Sequence, residues 1–181
     1  MKYVIYPVVI LTVCLSISLA SAQNKVVVVP LGGKKCTSPM ENSFTNSIGM
    51  TFNLIPAGTF TMGSPDGSDE PAEPGRFSNE TQHQVTLTKP FYMQVTEVTQ
   101  QQWQEVIGNM PATSNIGDEY PIETVNWFEA AYFANALSQK EGRSQCYTLT
   151  GCSPIPGNDM ECTGLGINAN CTGYRLPTEA Q

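Results

Sequence analysis

The sequence predicts an α+β fold, because short alternating segments and two capped helical segments follow one another in irregular order. Residues 50–56 and 84–88 alternate apolar and polar side chains, as half-buried strands do. Two later segments carry helix-start and helix-stop signals instead. The order is not that of a repeated strand–helix–strand unit, and 181 residues suffice for one ordinary domain.

Strand signals continue on both sides of a polar loop that covers residues 64–80. Residues 50–56 and 59–63 flank Ala57-Gly58, a turn signal, so we expect these two strands to form a hairpin. After residues 84–88, a further strand is predicted over residues 91–96. Residues 23–47 precede all of these strands and are predicted to be a linker.

The same three sequence signals predict both helices. Each has a polar N-cap, a Glu or Gln three residues later that completes a capping box, and a glycine after its end. These residues are Thr99, Gln102 and Gly108 for the first helix, and Asn126, Glu129 and Gly142 for the second. Aromatic residues recur at helical spacing and are predicted to be core rather than the lining of a ligand groove: Trp103, Trp127, Phe128, Tyr132 and Phe133.

The first 22 residues have the features of a secretory signal peptide. Lys2 supplies a positive start, residues 8–15 form an apolar run, and Ala20-Ser21-Ala22 offers a cleavage site. The run is too short to span a bilayer core of about 30 Å. Lipid attachment at Cys14 is the alternative, although the preceding valine is bulky for it. We expect export to the periplasm, the secretory pathway or the exterior, and a mature chain that begins at Gln23.

The charge of the chain disfavours two kinds of partner. Nine basic and 16 acidic residues give a net charge of −7. An acidic chain has no electrostatic footprint for nucleic acid and no polybasic patch for anionic lipid. We therefore expect no nucleic-acid partner, and no membrane partner once the signal is removed.

Four cysteines cluster in a Gly-, Pro- and Asn-rich segment, residues 145–173, which is predicted to be an insertion loop: Cys146, Cys152, Cys162 and Cys171. In an oxidising compartment such clustering favours two disulfides within the loop, and three pairings are possible. Zinc is a weaker alternative, because no C-x-x-C pair occurs. Cys36 stands apart, either as a free thiol or paired elsewhere.

Motifs of common hydrolytic and metal-dependent enzymes are absent from these 181 residues. There is no G-x-S-x-G, P-loop or H-E-x-x-H sequence, and His83 is the single histidine. One histidine cannot supply a multi-histidine metal site, and we expect it at the surface. The acidic segment Asp66–Glu70 suits calcium chemically but lacks EF-hand spacing, so a solvated loop is expected.

Five short segments resemble, in order, the motifs of formylglycine-generating enzymes, also called sulfatase-modifying factors. They are Phe60–Ser64, His83–Leu87, Phe91–Trp103, Pro121–Phe133 and Tyr174–Ala180, the last being the Y-R-L-P-T-E-A signature. Asn126 stands where the family more often has Ser or Thr. The resemblance covers about residues 48–181 and implies a variant of the C-type lectin fold.

The resemblance also implies an activity and where its residues lie. Active members oxidise a cysteine of a sulfatase to formylglycine, using oxygen and copper. Their copper-binding cysteines and calcium ligands lie in the half that follows the signature, whereas the sequence stops at Gln181, directly after Ala180. No catalytic, cofactor-binding or metal residue is therefore carried over, and copper and calcium are implied only for a full-length enzyme.

Two structural expectations accompany this partial match. Arg175 and Glu179 of the signature are expected to form a charged pair inside the fold. Because the domain is expected to be incomplete, Trp103, Trp127 and Phe133 are expected to be partly exposed.

Three functions remain open at this point. The first is a formylglycine-generating enzyme that acts on a sulfatase or another protein substrate, although the fragment itself is expected to be inactive. The second is a non-catalytic, lectin-like binding module of a secreted protein, since fold does not fix function. The third is an iron-dependent relative that acts on small thiols, which needs a histidine-rich site that the sequence does not show.

Overall fold

The computed structural model describes residues 8–9, 41–67, 74–75, 77, 80–114 and 116–181. Within these residues the chain forms nine short strands and two helices. The strands are β1 (Val8–Val9), β2 (Ser43–Thr45), β3 (Thr51–Ile55), β4 (Gly58–Met62), β5 (His83–Leu87), β6 (Phe91–Gln94), β7 (Tyr147–Thr150), β8 (Gly164–Ile167) and β9 (Tyr174–Arg175). The helices are α1 (Gln100–Ile107) and α2 (Trp127–Lys140), and neither is long and apolar enough to cross a membrane.

The strands form one antiparallel sheet and two separate strand pairs. The sheet has five strands in the order β2-β3-β6-β1-β9, and the pairs are β4-β5 and β7-β8. Its longest contact joins β3 to β6, with Phe52 opposite Gln94 and Ile55 opposite Phe91. Helices and antiparallel strands in this arrangement confirm the predicted α+β class.

The predicted hairpin between residues 50–56 and 59–63 is wrong. Both strands exist, but β3 joins the five-stranded sheet while β4 pairs with β5 through register pairs from Gly58–Leu87 to Met62–His83. Pro56, which lies between them, lacks the backbone N–H that a tight hairpin would use. The hydroxyl groups of Thr59 and Thr86 lie 2.9 Å apart across the β4-β5 pair instead.

Several predictions concern residues outside the described ranges. The signal peptide lies there except for Val8–Val9, and so do Cys14 and Cys36. Most of the acidic segment also falls outside, since residues 68–73 are not described. Within the predicted linker, residues 43–45 form β2 against β3, so regular structure begins before residue 48.

The core lies between the central sheet and α2. Trp103 and Phe133 are fully buried, and their rings stack with centroids 5.4 Å apart. The expectation that these two side chains are partly exposed is therefore wrong, because each covers the other at the contact between α1 and α2. Trp127 is only half-buried, and its ring packs edge-on against Tyr147.

The signature segment is tied to α2 through a serine hydroxyl. Ser138 Oγ accepts a hydrogen bond from the Tyr174 N–H at 2.8 Å and donates to the Ala134 carbonyl at 2.7 Å. Tyr174 is fully buried, and its ring lies 5.6 Å from that of Phe52. The segment thus joins the central sheet to α2.

The predicted internal pair between Arg175 and Glu179 is not formed. The Arg175 guanidinium donates to the Leu176 carbonyl at 2.8 Å, and Glu179 is exposed. Water solvates the carboxylate there, which avoids the cost of burying a charge. Among the described residues, an ion pair joins the exposed side chains of Lys140 and Glu105, with Nζ and Oε1 3.3 Å apart.

We predict that Gly173→Ala destabilises the fold by about 1–3 kcal/mol, as overpacking of a filled site does. A Cβ at this position would overlap Ser138 Oγ and the Ser144 carbonyl. Chemical denaturation measures the free energy of unfolding. Gly58→Ala is the matched control, because nothing lies within 4 Å of its added Cβ. Equal effects of the two substitutions would contradict the packing argument.

The carboxylate of Glu123 organises the loop between the helices. Glu123 Oε1 accepts hydrogen bonds from the Thr113 and Ser114 N–H groups, the latter at 2.8 Å. Its Oε2 accepts from the Thr124 hydroxyl. These bonds, the one from Thr124 foremost, lower the pKa of Glu123 from 4.5 to about 2.

We predict that Glu123 makes stability depend on acid. A depressed pKa means that its contribution is complete above pH 4.5 and is lost as the pH falls through about 2. In Glu123→Gln this part of the pH dependence should disappear, as measured by the unfolding midpoint along an acid titration. Glu119→Gln, at an exposed position of the same loop, should leave the profile unchanged. An unaltered profile in Glu123→Gln would show that the loop bonds do not act on folding.

Candidate functional site

The cysteine-rich segment contains two disulfides, as predicted, and the structure shows that they are nested. Cys146 is bonded to Cys171, and Cys152 is bonded to Cys162. The outer bridge holds the ends of the segment together, and the inner bridge closes a loop over residues 153–161. Disulfides of this kind form in oxidising compartments, so the pairing supports an exported protein.

Between the disulfides, the segment is more regular than the predicted loop. Residues 147–150 and 164–167 pair as β7 and β8, and Cys146, Tyr147 and Met160 are buried. Gly164 and Gly166 face Thr150 and Thr148, and a Cβ at Gly164 would overlap the Thr150 hydroxyl. The alternation of small and apolar residues in β8 therefore marks a strand.

A buried carboxylate anchors the inner loop to α2. Glu129 is fully buried, and its Oε1 accepts hydrogen bonds from the Gly157 N–H at 2.7 Å and the Met160 N–H at 3.0 Å. Its Oε2 accepts from the Asn126 N–H at 2.8 Å, which completes the predicted capping box of α2. Glu129 is thus both an N3 capping residue and the support of a distant loop.

Asn109 ties the same loop to α1. Its Oδ1 accepts from the Trp103 indole N–H at 3.2 Å, and its Nδ2 donates to the Pro156 carbonyl. Gly157 has φ +86°, and a Cβ there would lie 2.7 Å from Asn109 Oδ1. The inner loop is therefore held against both helices, and glycine is required where it approaches Asn109.

A cavity of about 630 Å³ opens where α1, α2 and the inner loop meet. Its lining combines the Lys140–Glu105 pair with the side chains of Tyr132, Gln139 and Ile155. A second cavity of about 260 Å³ shares Tyr132, Ala136 and Gln139 with the first. Tyr132 is 40% exposed and Ile155 is 66% exposed.

Two further apolar side chains stand on the β7-β8 pair. Leu165 is 48% exposed and Ile167 is 67% exposed. They lie opposite Leu149 and Tyr147 in register, so all four occupy one face of the pair. We call Ile155, Leu165 and Ile167 the apolar triplet, which the disulfide-closed segment presents to solvent.

The described residues do not fit a copper or calcium site. They include no group of three His, Cys, Asp or Glu side chains that could hold a metal ion. The four described cysteines are closed in disulfides, so none of them offers the thiolate that copper would bind. His83 is exposed as predicted, and its Nδ1 lies 3.0 Å from the Thr81 carbonyl.

Two ionisable groups near the signature are shifted by burial. Desolvation raises the pKa of Tyr147, whose hydroxyl accepts the Leu176 N–H at 2.9 Å, with Arg175 acting in the opposite direction. Burial lowers the pKa of Arg175, because desolvation disfavours its charged form. The Tyr147 hydroxyl thus links β7 to Leu176, the residue that follows β9, whereas Arg175 bonds the carbonyl of that same neighbour.

Sequence reasoning did not single out Asn109 or Ile155 and assigned Tyr132 to the core. A usable signal exists for Tyr132, because it falls on the outer side of α2 when Ala130, Ala134 and Leu137 face inward. No local signal marks the other two, since their positions follow from contacts between distant segments.

We predict that Glu129→Ala lowers the free energy of unfolding by about 3 kcal/mol or more, because three N–H groups, one buried and two part-buried, lose their acceptor. Amide hydrogen exchange at Gly157 and Met160 should accelerate as well. Glu105→Ala removes a carboxylate from an exposed ion pair and should cost about 0–1 kcal/mol. Unchanged exchange at Gly157 in Glu129→Ala would disprove the anchoring role.

Three comparisons relate this architecture to known proteins. The chaperone protein LppX of Paenibacillus barcinonensis is 40% identical over 101 residues, which is 54% of this chain and 35% of that protein. Treponema denticola variable protein 1 aligns with a TM-score of 0.57 and 28% identity over 79% of this chain and 55% of its own. PvdO of Pseudomonas aeruginosa aligns with a TM-score of 0.49 and 26% identity over 62% of this chain and 49% of its own.

The chain thus spans about a third of the length of the curated relative and about half of each solved structure. The broadest match is to a family model, the sulfatase-modifying factor enzyme 1-like domain, which covers residues 40–181. By that match, over most of its length, this chain belongs to the sulfatase-modifying factor enzyme 1-like family.

Proposed function

We propose that this chain is a non-catalytic recognition module of an exported sulfatase-modifying-factor-like protein, and that it holds a polypeptide client. The observation that carries this proposal is the use of the cysteines. The four described cysteines close two loops and fix the apolar triplet in place, instead of serving as thiolates.

The surroundings of the apolar triplet support a polypeptide as ligand. Ile155 and Tyr132 border the larger cavity, whose charged and amide groups can pair with a peptide backbone. Leu165 and Ile167 add two exposed apolar side chains on β8, which is an edge strand of its two-stranded pair. A relative is named a chaperone protein, and that name favours a polypeptide as the ligand proposed for this chain.

The second candidate is the reaction implied by the family, the oxidation of a sulfatase cysteine to formylglycine with copper and oxygen. Family membership favours it. Because the described residues do not fit a copper site, that activity would belong to residues of a longer protein. The recognition module would then present the sulfatase substrate to a catalytic portion.

Two readouts on one peptide separate the candidates. The exported chain is incubated with copper, oxygen and a peptide that carries the sulfatase cysteine motif. Mass spectrometry reports conversion of the cysteine to the aldehyde, and fluorescence anisotropy of the labelled peptide reports binding. We predict binding without conversion. Metal-dependent turnover by this chain would overturn the non-catalytic assignment.

Variants test where the peptide binds. The double substitution L165S/I167S should weaken binding at least tenfold, because it removes two exposed apolar contacts of the surface. Ile116→Ser is the matched control, since Ile116 is 65% exposed but lies in the loop between the helices. Equal affinity of both variants and the parent chain would contradict the assigned surface.

A further inference from the structure

Helix α2 buries three polar side chains, and each of them is bonded to the backbone of the chain that follows the helix. These side chains are Glu129, Asn135 and Ser138, none more than 7% exposed. Glu129 holds the inner loop, and Ser138 holds the N–H of Tyr174. Asn135 lies between them along the helix, and its partners are at the start of β7.

The Asn135 amide pairs with the backbone of β7 as a neighbouring strand would. Its Nδ2 donates to the Tyr147 carbonyl at 2.7 Å, and its Oδ1 accepts from the Tyr147 N–H at 3.1 Å. Oδ1 also accepts from the Cys146 N–H at 3.2 Å. Because a side-chain amide offers both donors and an acceptor, one residue of α2 satisfies three backbone groups of the strand.

These bonds attach the β7-β8 pair to α2 and are separate from the bonds within the pair. Both backbone groups of Tyr147 are bonded to Asn135, so they point away from Ile167, the register partner of Tyr147 on β8. Bonding alternates along an antiparallel pair, and Thr148 therefore exchanges its backbone bonds with Gly166. The pair is closed by these bonds and by the disulfides, whereas Asn135 supplies polar contacts that place it on the helix.

The placement of β7 sets the relative positions of the members of the apolar triplet. Leu165 and Ile167 follow β7 through the register of the pair. Ile155 belongs to the inner loop, which Glu129 holds separately. Asn135 also lines the smaller cavity, which lies between α2 and β7. A displacement of β7 would therefore change the shape of that cavity and move Leu165 and Ile167 relative to Ile155.

We infer that Asn135 is a positioning residue of the recognition surface, which holds the β7-β8 pair so that Leu165, Ile167 and Ile155 contact one polypeptide together. This inference rests on the proposed recognition function. Asn135 acts through the backbone of Cys146 and Tyr147. Its effect on affinity is preorganisation, because a surface that is already in place need not be ordered at the moment of binding.

Two alanine variants on the same helix test this role with the sulfatase-motif peptide. In Asn135→Ala the exported chain should bind the peptide about tenfold more weakly, because ordering the surface then opposes binding. Ser138→Ala is the matched control, since it removes a similarly buried group that holds Tyr174 instead of β7, and it should leave the peptide affinity unchanged. Near-UV circular dichroism checks the fold of each variant. Asn135→Ser, which keeps a hydroxyl in the site, takes the place of Asn135→Ala if the alanine variant does not fold.

Amide hydrogen exchange separates placement of the pair from its folding. In the Asn135 variant, exchange at Cys146 and Tyr147 should accelerate, because their N–H groups lose the Oδ1 acceptor. The amides of Thr148 and Gly166 should stay protected, since they are bonded within the pair. Loss of protection at all four amides would mean that Asn135 stabilises the pair itself, and this result would overturn the inference.

The affinities and the exchange rates distinguish failure of this inference from failure of the recognition function. Equal losses of affinity in Asn135→Ala and Ser138→Ala would reduce the role to general stability, and parent-like binding by Asn135→Ala would refute the role outright. A parent chain that does not bind the peptide would refute the recognition function instead. The exchange pattern then decides the positioning role alone, and unchanged exchange at Cys146 and Tyr147 would count against it.

Discussion

The buried carboxylate of Glu129 is the interaction on which the described architecture depends most. A charged group inside a protein is tolerated only when its oxygens are fully hydrogen-bonded. Glu129 meets this requirement with one N–H from its own helix cap and two from a loop some 30 residues later. The position of the inner loop, and with it that of Ile155 and Pro156, is therefore set by the helix and not by the loop itself. The Asn109 bonds to Trp103 and Pro156 extend the same constraint to α1.

The sequence predicted those features that depend on neighbouring residues. The capping boxes at Thr99 and Asn126 are formed as expected, because each N-cap and its N3 residue lie three positions apart. The two disulfides were predictable from clustering, but their nesting was not, since it depends on how β7 meets β8. The hairpin through Pro56 and the Arg175–Glu179 pair were wrong for a related reason. Each was inferred from proximity in sequence, whereas strand partners and solvent exposure were decided by the whole sheet.

The candidate site was the least predictable part of the molecule. Asn109 follows α1, Tyr132 lies on α2, and Ile155 belongs to the inner loop, so the site exists only where three distant segments meet. Composition could identify what the site is not, because an acidic chain with a single histidine excludes several chemistries. Composition could not reveal that the cysteine-rich segment exposes Leu165 and Ile167 to solvent. Nor could it reveal that the same segment buries Cys146, Tyr147 and Met160.

The way this segment is stabilised bears on the recognition function proposed above. On one face of the β7-β8 pair, Thr148 and Thr150 lie over glycines, which leaves little apolar packing to stabilise the hairpin. Disulfides that close loops of this size typically contribute about 2–4 kcal/mol each, and here they replace that packing. The β7-β8 pair is closed by the Cys146–Cys171 disulfide, and Glu129 holds the loop between the two strands. The exposed side chains of Leu165 and Ile167 therefore contribute little to the fold. The side chains at these two positions can therefore vary with the proposed ligand, while the family fold stays unchanged.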